Sequence, residues 1–197
     1  MPLVWQPSLL GDGPVAFDPG LSGLARTDLG SGAWLDRLPG WLAGADALFE
    51  AVLAAAPWAS HERPMYDKLV VEPRLTTRAW DDPPAPIPDL AEALSERYGR
   101  DLRTVSANLY RDGRDSVAWH GDRVGRRAAE TVVALVSLGS ERRFLLRPTG
   151  GGASRRIVTR SGDLLVLGGT AQRTWQHCVP KVAQAGPRIS VMFREAY

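Results

Sequence analysis

Between residues 41 and 56 apolar side chains return every three or four positions: Leu42, Ala45, Leu48, Phe49, Val52, Leu53 and Ala56. That spacing gathers them on one side of an α-helix, so an amphipathic helix is predicted there. Pro57 ends it, because proline lacks the N–H that the next turn needs. A second helix is expected from an N-cap at Asp89 to about Tyr98, with Gly99 closing it. Before it, Pro83, Pro84, Pro86 and Pro88 make a stiff loop. Residues 66–72 read as a strand. The first 40 residues are rich in Gly and Pro with little periodicity, which predicts an irregular arm with at most one short strand.

From about residue 103 the pattern shortens to strands and turns. Candidate strands cover 103–110, 115–120, 131–138, 143–147, 155–159, 163–167, 174–179 and 188–194. Turn residues such as Asp112-Gly113, Gly139-Ser140, Gly150-Gly151-Gly152 and Gly168-Gly169 separate them. Short strands at near-regular spacing point to an all-β sandwich or barrel. The expected fold class is mainly β with flanking helices (α+β). A mixed N-terminal part, 1–100, packs on a C-terminal sandwich, 101–197, within a single domain.

Composition changes this picture little. Hydrophobic residues make up 44% and charged residues 23%, values of a soluble globular chain. No apolar run approaches the roughly 20 residues that span a bilayer, so no membrane association is expected. Met1-Pro2-Leu3-Val4-Trp5 has no secretory signal character. Cys178 is the only cysteine, which rules out an internal disulfide and suits a cytoplasmic location. A monomer is expected.

Charge changes it more. Residues 1–100 carry 8 basic and 14 acidic side chains, whereas residues 101–197 carry 16 and 8. The basic half is almost purely arginine, clustered as Arg123/Arg126/Arg127, Arg142/Arg143/Arg147 and Arg155/Arg156/Arg160. Such clusters suit a nucleic-acid backbone, or else a solvated arginine surface.

The candidate chemistry lies in Ala118-Trp119-His120-Gly121-Asp122. In an extended chain, residues i and i+2 point to one side, so His120 and Asp122 can converge on one ion. His177, in another predicted strand, can join them by antiparallel folding. Two imidazoles and a carboxylate on one face of a metal leave positions open for cosubstrate and O2, the pattern of non-haem iron(II) oxygenases. In Arg188 to Arg194, alternation puts Arg188, Ser190, Met192 and Arg194 on one face and Ile189, Val191 and Phe193 on the other. The two guanidiniums, about 20 Å apart along the strand, suit the two ends of a small dicarboxylate. An edge strand with two solvated arginines is the bland alternative. Cys178 should point away from His177 as a small core residue, and His61 reads as a surface residue.

From Asn108 to Arg194 the chain resembles the AlkB family of iron- and 2-oxoglutarate-dependent oxidative dealkylases. The resemblance runs through Asn108-Leu109-Tyr110, His120-Gly121-Asp122, Val136-Ser137-Leu138-Gly139, Arg143 to Arg147, Gly162 to Gly169, His177, Val179-Pro180-Lys181 and Arg188 to Arg194. Pro73-Arg74-Leu75 looks like a further family element. The resemblance implies a double-stranded β-helix (jelly-roll) core as the catalytic part, with the N-terminal part recognising substrate. It implies His120, Asp122 and His177 as iron(II) ligands, and Asn108, Tyr110, Arg188 and Arg194 as contacts of 2-oxoglutarate, with O2 as the oxidant. It also implies direct-reversal repair of N-alkylated bases, such as 1-methyladenine and 3-methylcytosine, in DNA or RNA. A flipped base needs an aromatic platform, for which Trp80, Tyr66 and Trp175 are candidates. One departure stands out: Arg123-Val124-Gly125-Arg126 follow Asp122, where many members carry acidic residues. Two alternatives therefore stay open: the same chemistry on a protein or small molecule, and a non-catalytic β-sandwich binding module.

Overall fold

The structure, a computed structural model, describes residues 3, 5, 13–65, 68–122 and 128–196. The chain runs through β1 (Ala16–Phe17), β2 (Ala25–Gly30), β3 (Ala33–Leu38), β4 (Leu42–Ala43), α1 (Ala45–Ala55), β5 (Glu62–Met65), β6 (Lys68–Val71), β7 (Leu75–Thr77) and α2 (Ile87–Tyr98). It continues with β8 (Thr104–Tyr110), β9 (Val117–His120), β10 (Thr131–Gly139), β11 (Arg142–Pro148), β12 (Arg155–Thr159), β13 (Leu164–Gly169), α3 (Ala171–Thr174), β14 (Trp175–Val179) and β15 (Arg188–Arg194). All eight strands expected after residue 103 are present. No described helix is long and apolar enough to cross a membrane.

Two antiparallel sheets carry the fold. One has seven strands in the order β2-β3-β13-β10-β15-β8-β7; the other has four, β12-β11-β14-β9. Strand alternation sorts side chains into two cores. On the outer side of the larger sheet, Val132, Ala134, Val136, Leu138, Ile189, Val191 and Phe193 pack against Leu48, Phe49 and Val52 of α1 and Ile87, Leu90 and Leu94 of α2. On its inner side, Val133, Leu135, Tyr110 and Met192 meet Phe144, Leu146, Ile157, Trp175 and Val179 of the smaller sheet. All nine residues of β10 are buried, as expected of a strand covered on both faces. This is a jelly-roll sandwich with helices on one side.

Several expectations need correction. The first 40 residues are not an irregular arm: β2 and β3 form a hairpin that extends the seven-stranded sheet through β3–β13 pairing. Asp36 hides this strand, being a carboxylate on an apolar face. It is fully buried, receives two hydrogen bonds from Arg26 (2.7 and 2.8 Å) and accepts one from the Tyr98 hydroxyl at 2.9 Å. Asp89 is not the N-cap of α2. The helix starts after Pro86, and Asp89 lies in its first turn, where a carboxylate suits the positive end of the helix dipole. The strand expected over 66–72 is the second half of a β5–β6 hairpin; Tyr66 falls outside the described residues. β15 is interior, paired with β10 and β8, so it is not an edge strand of solvated arginines.

Phe49 is fully buried and sits against Gly139 at the end of β10, where a Cβ would come within 2.9 Å of its ring. Phe49→Ala should cost about 3–5 kcal/mol in urea unfolding, whereas the exposed neighbour Glu50→Ala should stay within about 0.5 kcal/mol of the parent.

Candidate active site

The gap between the two sheets holds a polar cluster within an apolar layer. His177 lies opposite His120 in the β14–β9 pairing, so both imidazoles leave the smaller sheet side by side, with ring centroids 4.3 Å apart. Asp122 follows β9 directly. Its Oδ1 is 3.8 Å from His120 Nε2 and 4.0 Å from His177 Nε2. Two donors bound to one first-row metal at about 2.1 Å stand at most about 4.2 Å apart, so both separations fit a shared ion. All three donor atoms lie within 4.8 Å of one another.

The protonation states suit a metal as well. His120 Nδ1 lies 2.8 Å from the Ala118 carbonyl, which can only accept. Nδ1 is therefore the donor of that bond, and Nε2 is the ring nitrogen turned toward Asp122. Burial pulls the His177 imidazole down to about 4, so it is a neutral donor at pH 7. Burial also pushes the Asp122 carboxyl up, but His177, Arg194 and His120 outweigh that and hold it below the ordinary range. The His177 ring is stacked on Phe144, 5.1 Å away and 15° from parallel.

Across the gap, the register of β8, β15 and β10 lines up a polar row. Arg188 lies opposite Tyr110 and Gly139, Ser190 opposite Asn108 and Ser137, Met192 opposite Ser106 and Leu135, and Arg194 opposite Thr104 and Val133. Arg188 is 2% exposed. Its Nη2 donates to Ser137 Oγ at 2.9 Å and Thr159 Oγ1 at 3.4 Å, while its Nε and Nη1 have no protein partner. Burial lowers this guanidinium to about 10, so it stays charged at neutral pH. A buried cation with unsatisfied donors is a place for a carboxylate. Arg194 donates to Ser106 Oγ at 2.9 Å and leaves its own Nε unpaired. Asn108 Oδ1 accepts from Thr76 Oγ1 (2.9 Å) and Arg74 Nε (3.2 Å). Burial raises the Tyr110 phenol, which therefore stays neutral. His120, Asp122, His177, Asn108, Tyr110, Arg188 and Arg194 thus all face one space, at the junction of two sheets.

Two aromatic candidates for base stacking are buried in the cores. Trp80 is 9% exposed and belongs to the helix-side core, on the far side of the larger sheet from the histidines. Trp175 shares the inward face of β14 with His177 but is packed in the inter-sheet core, with the Arg155 guanidinium 5.4 Å from its ring centre. Neither offers a free ring face, and Tyr66 lies outside the described residues. Cys178 is buried and outside the cluster, as expected. His61 is half-buried rather than on the surface.

Sequence reasoning missed two residues that build the site. Arg142, grouped with the surface arginines, is 3% exposed. It donates to the carbonyls of Asp112 (3.1 Å), Asp115 (2.8 Å) and Pro180 (2.7 Å), fastening two loops over Tyr110. Gln172, in the short α3, accepts the Asp122 N–H at 2.8 Å. A Cβ on Gly121 would come within 2.5 Å of the Gln172 carbonyl, so a side chain there would push this loop away. Nothing in the local sequence pattern marks Gln172, because its contact is 50 residues distant.

Residues 44–194 match the 2OG-Fe(II) oxygenase superfamily. The chain is 30% identical over 177 residues to alpha-ketoglutarate-dependent dioxygenase alkB homolog 3 of Bos taurus, covering 78% of this chain and 62% of that protein. It is 34% identical over 146 residues to DNA oxidative demethylase ALKBH2 of Arabidopsis thaliana, covering 61% and 46%. The chain thus spans less than two thirds of the length of these curated relatives. Among solved structures, OsALKBH1 superposes with a TM-score of 0.53 at 15% identity, covering 87% of this chain and 100% of that one. An oxidoreductase of the 2OG-Fe(II) oxygenase family from Burkholderia pseudomallei gives 0.52 at 15% identity, over 75% and 76%; both likenesses concern the fold. The chain belongs to the 2OG-Fe(II) oxygenase superfamily, among its AlkB-like members. That family implies iron(II), 2-oxoglutarate and O2, and the donor set and the unsatisfied Arg188 fit the first two.

Gln172→Leu should weaken Mn(II) binding, measured by calorimetry, about tenfold or more with little change in melting temperature, because the Asp122 loop loses its acceptor. Gln172→Glu, which keeps an acceptor oxygen, should bind within a few-fold of the parent.

Proposed function

We propose that this chain is an oxidative dealkylase of N-alkylated bases, such as 1-methyladenine and 3-methylcytosine, in DNA or RNA. His120, Asp122 and His177 hold iron(II), and Arg188 grips the far carboxylate of 2-oxoglutarate with its free Nε and Nη1. Tyr110 and Asn108 line the diacid, and Arg194 lies at its metal-side end. When bound, iron(II) with 2-oxoglutarate and O2 inserts one oxygen atom into an N-alkyl C–H bond while succinate and CO2 form, and an N-methyl group then leaves as formaldehyde. The chain's own residues orient and shield. His120 is fixed by the Ala118 carbonyl, Asp122 by Gln172, and Phe144, Leu135 and Met192 keep the gap dry. Strongest support comes from Arg188, a buried, charged and half-satisfied guanidinium facing the same gap as the three donors. The base substrate is inferred from relatives named as DNA oxidative demethylases.

Arg123 and Val124, where many members carry acidic residues, favour keeping the same chemistry on a protein or small molecule as a second reading. Mass spectrometry separates the two. Oligonucleotides bearing 1-methyladenine or 3-methylcytosine, incubated with the chain, iron(II) and 2-oxoglutarate, should lose the methyl mass; succinate release with every oligonucleotide unchanged would favour the second reading. His120→Ala should abolish iron-dependent 2-oxoglutarate binding, which no inert binding module would show in the first place. Arg188→Met should raise the KM for 2-oxoglutarate at least about 30-fold, equivalent to about 2 kcal/mol, because the buried carboxylate loses its cation.

A further inference from the structure

The arginines between residues 142 and 160 are sorted by the sheet. Arg142 points inward and is buried, Arg155 covers Trp175, and Arg160 pairs with Glu141 at 3.4 Å. Arg143, Arg147 and Arg156 are left, all on the outer face of the four-stranded sheet. Arg143 lies opposite Val158, Arg156 opposite Leu145, and Arg147 opposite Gln176. Arg143 and Arg156 are exposed, and among the described residues none of the three has a carboxylate partner. Arg147 is already oriented: its guanidinium lies 4.1 Å above the Trp119 ring, and Nε and Nη2 share the Gln176 side-chain oxygen at 3.3 and 3.1 Å. Helices α1 and α2 pack on the other sheet.

We propose that this outer face carries the sugar–phosphate backbone of the nucleic acid, as a contact surface separate from the pocket between the sheets. The proposal rests on the nucleic-acid reading above. Arg143 and Arg147 are about 14 Å apart along β11, and a polymer with a charge every 3.4 Å or so per strand meets both in any register. A guanidinium takes a phosphate bidentately. A peptide docking by strand addition would take an edge, β9 or β12, whereas Arg143 and Arg147 stand on β11, which is paired on both sides. The face also continues to the pocket: Trp119 and His120 are neighbours on β9, one of the two edge strands of this sheet, and point to opposite sides of it. A polynucleotide crossing that edge reaches both surfaces.

The test is fluorescence anisotropy of a labelled, unmodified single-stranded oligonucleotide with the full chain, across a salt series. The Arg143→Gln/Arg156→Gln double variant should bind about tenfold or more weakly, with the slope of log affinity against log salt shallower by about 1.4, or about 0.7 per lost phosphate contact. Melting temperature and iron-dependent 2-oxoglutarate binding should not change, and the corresponding double lysine variant should recover most of the affinity. Equal affinity and slope in the glutamine variant overturns the proposal even if the parent dealkylates bases. Failure of the parent to bind any oligonucleotide, or binding only of polyglutamate, overturns it too. Loss of binding in the variant without dealkylation by the parent upholds it and removes the catalytic reading instead.

Discussion

A guanidinium held between two β-sheets cannot shed its charge at neutral pH and cannot reach water. Arg188 is such a group. Two hydroxyls satisfy one of its nitrogens, and the remaining donors need an anion brought in from outside. An apolar inter-sheet layer alone would be the more stable filling, since a buried ion loses more hydration than weak partners return. The tyrosine, serines and threonine around Arg188, and the arginine-fastened loops above it, follow from keeping that position polar. The three metal-type donors face the other end of that row from across the gap, beside Arg194.

Position in the sandwich follows from strand alternation with a period of two. Along β15, one set of side chains completes the helix-side core and the other lines the site, so a single strand serves stability and chemistry at once. A shift of one residue in its pairing would bring Ile189, Val191 and Phe193 into the gap and drive both arginines under the helices. The register against β8 and β10 is therefore as much a part of the site as the side chains themselves.

The strands after residue 103 were legible because their apolar runs are short and punctuated by glycine. The His120–Asp122 pair was legible because i and i+2 share a face. What escaped were elements whose sense depends on distant partners. Asp36 breaks the alternation of β3 and makes sense only beside Arg26 and Tyr98. Arg142 resembles its exposed neighbours, yet parity puts it on the inward face. Gln172 carries no local pattern at all. Trp80 lies in the helix-side core for the converse reason: an aromatic near a family-like element is most often core.

Cys178 sits next to His177 but on the reverse of the strand, buried, with its thiol raised further by that burial. The folded chain therefore presents no reactive sulfhydryl, since thiolate character and access are both withheld. One practical property results: a single cysteine placed on the surface for a spectroscopic label would react alone, with no background from the native one.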